Sequence, residues 1–356
     1  MSELTKEKIY KKELIAGGAT GNNNLERIRS LAGGGASKKS FFMEELDVKL
    51  PEKLSSISAC GNGDYIYLCS GVTNEGHAVG DFYKFNTKTN EIVLVKSEGT
   101  DIISATLVYA YGFIWVFGGE LAGASSRNKR VYVIDVATDF NMYEVTSTDV
   151  DLGYYPLVIH EGNVFYIFKN NDYLYRLVVD ETGNFTTGEL ELEEISTLDN
   201  YPVEFGGIFK TDEVNQSIFT VGGRGDSDGR ISRNIYHWGI KLDTNGKPTL
   251  ALVNTETLSK IDKYNTYAVS TVLGEQKEKY VLVDSQRKVY YEYSISNGGT
   301  IVSDEIPLDS SNSKIKNDFE NLASFSTVST ANGIYVMGGT VKYGDNVDTI
   351  YKITLN

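Results

Sequence analysis

The arginines are the residues whose type and position predict a chemical role for this chain. Residues 41–356 hold seven, and six of them fall between one apolar run and the next: Arg127, Arg130, Arg224, Arg230, Arg233 and Arg287. A planar guanidinium group matches a carboxylate or a phosphate, and arginine is enriched at the energetic centres of interfaces. We therefore predict a surface that binds a protein partner, a glycan or another acidic ligand, and we add Tyr343 from a matching segment. The alternative is that these arginines only offset nearby acids such as Asp226 and Asp228.

Residues suited to catalysis or metal binding are scarce. The three histidines, His77, His160 and His237, make no metal-binding spacing with one another or with a cysteine. Nucleophile-elbow, P-loop and zinc signatures are missing from the sequence as well. Carboxylate pairs such as Asp149 and Asp151 are common, and in so acidic a chain we interpret them as solvated loop charges. We predict a non-enzyme without metal or cofactor, in which His237 is a packed strand residue.

A calcium site is a separate question. The run Asp226-Ser227-Asp228-Gly229 resembles the first half of a calcium loop, but the remaining ligands do not follow it. A bound calcium ion near Asp226 and Asp228 therefore stays an open alternative.

The elements that must position these residues form an internal repeat. Six times an apolar run ends in a two-residue break, and a strand containing tyrosine follows. The clearest copies break at Gly118-Gly119, Gly222-Gly223 and Gly338-Gly339, and the first copy has Ser70-Gly71 instead. The second position of each break is residue 71, 119, 169, 223, 285 or 339, so the spacings are 48, 50, 54, 62 and 54 residues. A period of about 50 residues with short apolar strands predicts four-stranded blades of a β-propeller.

The apolar run, the double glycine, the spacer and the tyrosine strand resemble the kelch repeat, at full strength in three copies and worn in three. The resemblance covers residues 41–356 and implies an all-β, six-bladed kelch-like propeller. It also implies partner binding by the connections between second and third strands. The chain departs from the kelch pattern at the outer strands, because a tryptophan expected after the tyrosine is replaced by Asn90 to Ile92 and by Asp139-Phe140.

A closing strand is predicted as well. The sequence ends at Asn356, just after the third strand of the sixth copy. The segment from Phe41 to Pro51 resembles an outer strand and precedes the first copy. We expect it to pair with the last repeat and close the ring, because closure removes the exposed edges of an open sheet.

Charge separates two regions, which we interpret as an arm, residues 1–40, and a propeller, residues 41–356. The arm holds eight Lys and Arg against four Asp and Glu, whereas the whole chain has a net charge of −14, so the propeller carries −18. The arm contains Gly17-Gly18 and Gly33-Gly34-Gly35, which predict a flexible or partly helical tether. A propeller this acidic argues against nucleic acid as a partner.

Location is predicted from what the sequence lacks. No stretch approaches the roughly 20 apolar residues of a membrane span. The charged N-terminus has no apolar segment of the signal-peptide kind, so we expect synthesis in the cytoplasm. Cys60 and Cys69 are predicted to be buried free thiols, which fits a reducing compartment.

These features favour a non-enzymatic binding or structural module. In that hypothesis the arm tethers the propeller to a larger assembly, for which a bacteriophage or tail-like particle is a candidate by analogy, and the arginine-bearing connections bind a partner. Two alternatives stay open. One is an intracellular kelch-type interaction adaptor, and the other is a carbohydrate-active enzyme with carboxylates in the central funnel.

Overall fold

In the computed structural model of the chain, the regular secondary structure of the described residues is β-strand apart from one short helix. The structure describes residues 40–97, 99, 102–121, 127–147, 151–169, 173–179, 189–194, 207–210, 217–221, 223, 234–242, 244, 246, 248–257, 269–272, 280–284, 289–295, 301–305, 308–309, 313–341 and 344–355. Several predictions fall outside these residues. They concern the arm up to residue 39, the calcium loop, and the residues Arg224, Arg230, Arg233, Arg287 and Tyr343.

Strand β1 (Phe41–Glu45) comes first, and five regular antiparallel blades of four strands follow. Blade 1 contains β2 (Ser58–Asn62), β3 (Tyr65–Val72), β4 (Ala78–Asn86) and β5 (Glu91–Lys96). A short pair, β6 (Ile102–Ile103) and β9 (Glu120–Leu121), flanks the next blade. Blade 2 contains β7 (Thr106–Ala110), β8 (Phe113–Phe117), β10 (Arg130–Asp135) and β11 (Asn141–Ser147). Blade 3 contains β12 (Val158–Glu161), β13 (Val164–Lys169), β14 (Tyr173–Val178) and β15 (Glu189–Glu194).

The remaining strands continue the pattern. Blade 4 contains β16 (Gly207–Lys210), β17 (Ser217–Val221), β18 (Asn234–Leu242) and β19 (Pro248–Thr257). Blade 5 contains β20 (Val269–Val272), β21 (Tyr280–Asp284), β22 (Val289–Ile295) and β23 (Ile301–Glu305). Then come β24 (Leu308–Asp309), helix α1 (Ser313–Glu320), β25 (Ser326–Thr330), β26 (Gly333–Met337) and β27 (Ile350–Leu355).

The last sheet has five strands and includes the start of the described chain. Its order is β24-β1-β27-β26-β25. Strand β1 runs antiparallel to β27, from Phe41 opposite Leu355 to Glu45 opposite Tyr351, and parallel to β24. We call it the closing sheet.

The first strands of successive sheets lie side by side. Contacts join β2 to β7, β7 to β12, β12 to β16, β16 to β20 and β20 to β25, and β25 also contacts β2. This arrangement is that of a β-propeller, as the repeat predicted. The described strands form five regular blades, where the sequence predicted six, in addition to the closing sheet.

The second strand β8 shows how the core is built, because both of its faces are covered. In β8 the side chains of Ile114, Trp115, Val116 and Phe117 are all fully buried. Trp115 and Phe117 pack with Phe165 of blade 3, whereas Ile114 and Val116 pack towards blade 1. A continuous apolar run, rather than an alternating one, is therefore what a strand between two neighbouring blades requires.

Both cysteines are free and buried, as predicted. They belong to one cluster between blades 1 and 2. Burial raises the pKa of both thiols, that of Cys69 to about 12. Neither thiol is therefore ionised near neutral pH, so both are unreactive core residues.

Helix α1 has eight residues. Within the described ranges no helix has the length and apolar character needed to cross a membrane.

Candidate functional site

The double glycines explain how one end of the disc is built. Gly118 and Gly119 both have positive φ, 65° and 84°. A β-carbon on Gly118 would lie 2.5 Å from the carbonyl oxygen of Gly153, in the linker to the next blade. A β-carbon on Gly119 would lie 2.5 Å from the carbonyl oxygen of Ile103, in the linker that enters its own blade. Each glycine of the pair thus lets a different linker approach the backbone closely.

The same arrangement recurs at the other end of the sequence. A β-carbon on Gly338 would lie 2.5 Å from the carbonyl oxygen of Leu54, and one on Gly339 would lie 2.7 Å from that of Ala323. We call this end of the disc, with the linkers between blades and the connections between second and third strands, the connection end. Among the described residues it includes 46–57, 73–77, 102–105, 118–121, 127–129, 151–157, 321–325 and 338–341.

Backbone hydrogen bonds join neighbouring blades at the connection end. The amide of Ser56 donates to the carbonyl oxygen of Ser324 at 2.9 Å. In the same way the amide of Ser104 donates to the carbonyl oxygen of Ser56 at 3.3 Å, and the amide of Tyr155 donates to the carbonyl oxygen of Ser104 at 2.8 Å. All four residues have positive φ, between 41° and 57°, and each lies two or three residues before the first strand of its blade. A left-handed backbone is costly for residues other than glycine, so the inter-blade bonds must hold these positions.

Tyr155 departs from the serines at the equivalent positions. Its hydroxyl donates to the carbonyl oxygen of Ile57 at 3.1 Å. The phenol of a blade 3 linker therefore reaches past blade 2 to the start of the first strand of blade 1.

Arg127 lies beside this linker, in the connection between β8 and β10. Its Nη1 atom is 3.4 Å from Oδ1 of Asp151, and its guanidinium carbon lies 4.6 Å from the ring centre of Tyr154. The Arg127 side chain retains 26% of its exposure, and that of Asp151 retains 36%. The guanidinium is thus oriented by an ion pair and by a cation–π contact, and it remains partly accessible to solvent.

Tyr154 extends the cluster to a second carboxylate. Its hydroxyl donates to Oε2 of Glu120 at 2.9 Å, and Glu120 also forms a β-bridge with Arg127. Burial, followed by the hydrogen bond to Glu120, raises the pKa of the Tyr154 phenol, while Arg127 acts in the opposite direction. We call Glu120, Arg127, Asp151 and Tyr154 the Arg127 cluster.

A buried asparagine fixes the backbone next to Arg127. Asn128 is 1% exposed, and its Nδ2 donates to the carbonyl oxygens of Gly118 at 3.0 Å and Arg130 at 2.8 Å. Its Oδ1 accepts from the amide of Arg130 at 2.9 Å. Because both ends of the amide are bonded, the position from which the Arg127 side chain leaves the backbone is well defined.

Arg130 does not lie in the connection between second and third strands, where the sequence placed it. It is the first residue of the third strand β10. Its Nη1 is 3.1 Å from Oε2 of Glu144 on the outer strand, and the two side chains retain 55% and 43% of their exposure. Arg130 is therefore directed towards the outer strand of its own blade.

The sequence alone does not identify the partners of Arg127. Asp151 forms an ion pair with Arg127 and is not the solvated loop charge that the sequence suggests. Tyr154 and Tyr155 gave no signal beyond standing as an aromatic pair before Pro156, and Glu120 gave none beyond its place after the double glycine.

The comparisons with known proteins bear on the fold. No protein-family model and no curated protein matches this sequence. The solved structure of YjhT is similar over 86% of this chain and 99% of that chain, with a TM-score of 0.59 and 12% sequence identity. The chain is a β-propeller. At this identity the likeness concerns the fold of the propeller and carries nothing about its function.

Metal-binding geometry is not found in the described part of the chain, where no three His, Cys, Asp or Glu residues are grouped to hold an ion. His237 is 7% exposed and stacks on Phe219 at 4.5 Å, so it is the packed residue that the sequence predicted. Nε2 of His160 lies 3.2 Å from the hydroxyl of Tyr111, and that hydroxyl donates to the carbonyl oxygen of Gly162 at 2.6 Å.

Proposed function

We propose that this protein is a non-enzymatic binding module that recognises an acidic partner at the connection end of its propeller. The observation that carries the proposal is the Arg127 cluster, in which Asp151 and Tyr154 orient the guanidinium group of a side chain that is still 26% exposed. A guanidinium held in one orientation loses less rotamer freedom on binding than a free side chain does. An incoming carboxylate can approach its outer edge while Tyr154 supports its face.

The connections between second and third strands lie at one end of the disc. Among the described residues, Arg127 is the predicted arginine that lies within such a connection, between β8 and β10. We include Arg130, Arg224, Arg230, Arg233, Arg287 and Tyr343 in the proposed partner-binding surface.

We further propose that the closing sheet is a sixth, kelch-type blade that β1 completes. Support comes from the pairing of β1 with β27, residue by residue, and from the contact of β25 with β2. Phe41 and Met43 are 0% and 2% exposed in the core of that sheet, as expected for an integral outer strand.

The position of Phe41 suggests how the arm is used. Phe41 is paired with Leu355, at the end of β27 that points away from the connection end. We propose that residues 1–40 attach the protein to a larger assembly, such as a bacteriophage or tail-like particle, and leave the connection end facing outward. The Arg127 cluster is then available to a second partner.

A binding experiment on the full chain tests the acidic-partner proposal. The immobilised protein is presented with arrays of acidic, neutral and basic peptides and with a glycan array. We expect acidic peptides or acidic glycans to bind, and the triple variant Arg127→Ala, Arg224→Ala, Arg230→Ala to lose that binding while remaining folded.

The control is Lys88→Ala, because Lys88 lies on the turn between β4 and β5 at the opposite end and is 63% exposed. Unchanged binding by the folded triple variant would remove the proposal. Turnover of a glycoside panel that is lost on changing carboxylates near the axis would favour the carbohydrate-active enzyme instead.

A further inference from the structure

Two asparagine–glycine dipeptides lie at the turns between first and second strands, on adjacent sheets. Asn62 ends β2 and is followed by Gly63, and Asn332 lies between β25 and β26 and is followed by Gly333. Asparagine before glycine is the sequence most prone to spontaneous deamidation, because glycine has no side chain to shield its amide nitrogen. The two sites differ in what holds the asparagine side chain.

The side chain of Asn332 is held across the boundary between the closing sheet and blade 1. Its Nδ2 donates to Oγ1 of Thr87 at 2.8 Å and to Oδ1 of Asp64 at 3.2 Å. The Thr87 hydroxyl gives its own proton to the carbonyl oxygen of Asp64 at 2.8 Å. Both groups that face Asn332 are therefore hydrogen-bond acceptors, and only an amide nitrogen satisfies them.

The following glycine is also enclosed at this site. A β-carbon on Gly333 would lie 2.8 Å from the carbonyl oxygen of Ile353. The backbone around the Gly333 nitrogen thus has little room to rearrange.

Asn62 has none of these restraints. Among the described residues its side-chain amide has no hydrogen-bond partner, and a β-carbon on Gly63, at φ +60°, would meet nothing within 4 Å. The side chain can therefore rotate towards the amide nitrogen of the following residue.

We propose that Asn62 is a site of spontaneous deamidation, and that Asn332 is protected from the same reaction by Asp64 and Thr87. The amide nitrogen of Gly63 attacks the side-chain carbonyl carbon of Asn62, and ammonia leaves with the transferred proton. Water then opens the resulting cyclic imide to aspartate or isoaspartate. The reaction needs no reagent other than water.

The protection of Asn332 matters because the aspartate that deamidation would form does not fit the site. A carboxylate at position 332 would lose both hydrogen bonds that the Asn332 amide donates. It would also face Oδ1 of Asp64, whose other carboxylate oxygen, Oδ2, is paired with Lys88 at 2.6 Å. Deamidation there would replace the hydrogen bonds between the closing sheet and blade 1 by repulsion between two carboxylates. The same change at Asn62 alters no hydrogen bond among the described residues.

Peptide mapping of the full chain by mass spectrometry, during incubation at mildly alkaline pH, tests the proposal. We expect the mass increase of deamidation to accumulate at Asn62 several times faster than at Asn332 within the same sample. The variant Thr87→Val removes one acceptor and should accelerate conversion at Asn332 but not at Asn62. Equal rates at the two sites, or no conversion at Asn62, overturn the proposal.

Two charge variants test the consequence separately. Asn332→Asp should lower the melting temperature, whereas Asn62→Asp should leave it nearly unchanged. An equal effect of the two variants would overturn the assigned role of Asp64 and Thr87.

Discussion

Gly118 and Gly153 are so close that any side chain on Gly118 would collide with the backbone of the next linker. A β-carbon there would lie 2.5 Å from the carbonyl oxygen of Gly153, and that oxygen accepts the amide of Gly119 at 2.8 Å. The repeat therefore needs its first glycine for contact between blades as well as for a left-handed turn.

Gly118→Ala should destabilise the protein more than a left-handed alanine alone would. The matched control is Gly112→Ala, because Gly112 also has positive φ, +84°, but has open space around it. The control should lose about 1–2 kcal/mol of unfolding free energy. Urea unfolding of both variants measures the difference. If Gly118→Ala and Gly112→Ala lose equal unfolding free energy, the carbonyl of Gly153 can move aside, and its contact with Gly118 does not exclude a side chain.

Ser70 takes the place of the first glycine in blade 1. It has φ 53°, and its hydroxyl donates to the carbonyl oxygen of Ile102, in the linker that enters blade 2. Ser70→Ala and Ser70→Gly both remove this bond, but only glycine relieves the left-handed strain. We expect the glycine variant to be more stable than the alanine variant by about 1 kcal/mol in urea unfolding. The reverse order would show that strain at residue 70 is negligible.

Phe41 should be essential to the closing sheet. It is fully buried against a core that includes Phe319 and Tyr351, so Phe41→Ala should cost about 3–5 kcal/mol of unfolding free energy. Phe42→Ala is the control, because Phe42 is only partly buried on the same strand. Chemical denaturation of both variants distinguishes them. A small loss for Phe41→Ala would contradict the proposal that β1 closes the ring.

His237 should make stability fall at acidic pH. It is buried, and neither ring nitrogen has a hydrogen-bond partner among the described residues. Burial lowers the pKa of His237 below its ordinary value of 6.5, so the folded state holds this ring neutral. The unfolded state then binds a proton that the folded state does not, and stability decreases as the pH falls below 6.5 until the folded pKa is passed.

His237→Phe should remove this part of the acid dependence, because phenylalanine can retain the stacking on Phe219 without a titrating group. The measurement is the unfolding free energy of wild type and variant from neutral pH downward. His77→Gln serves as the control, since His77 lies exposed in a connection. If the unfolding free energies of wild type and His237→Phe change with pH in parallel, the His237 ring does not contribute to the acid dependence of stability.

Arg127→Ala should leave the propeller folded. The ion pair with Asp151 is long and partly exposed, and the cation–π contact is also near the surface, so the expected loss is about 1 kcal/mol or less. Thermal unfolding monitored by circular dichroism measures it, with the more exposed Arg130→Ala as the comparison. A cooperative transition at a much lower temperature would make Arg127 a stability residue and weaken its use as a binding probe.

The sequence by itself determined the local part of this architecture. Runs such as Phe113 to Phe117, followed by a double glycine and a tyrosine strand, predicted buried second strands, a glycine break and a third strand after it, and β8 and β10 are such a pair. These features depend on neighbours within one blade. Because the repeat occurs several times, the same apolar run, break and tyrosine strand can be compared between copies in one sequence. Burial of Cys60 and Cys69 as free thiols followed from a local feature too, the expected turn near Asn62-Gly63, which keeps the two cysteines from facing each other.

Only the tertiary structure decided which residues meet between blades. The contact of Arg127 with Asp151 and Tyr154, and the reach of Tyr155 to Ile57, join linkers whose separation depends on the curvature of the ring. A sequence repeat sets the shape of each blade but not the angle between blades, because that angle comes from side-chain packing on both faces of strands such as β8. The partners of Arg127 are therefore a property of the assembled disc.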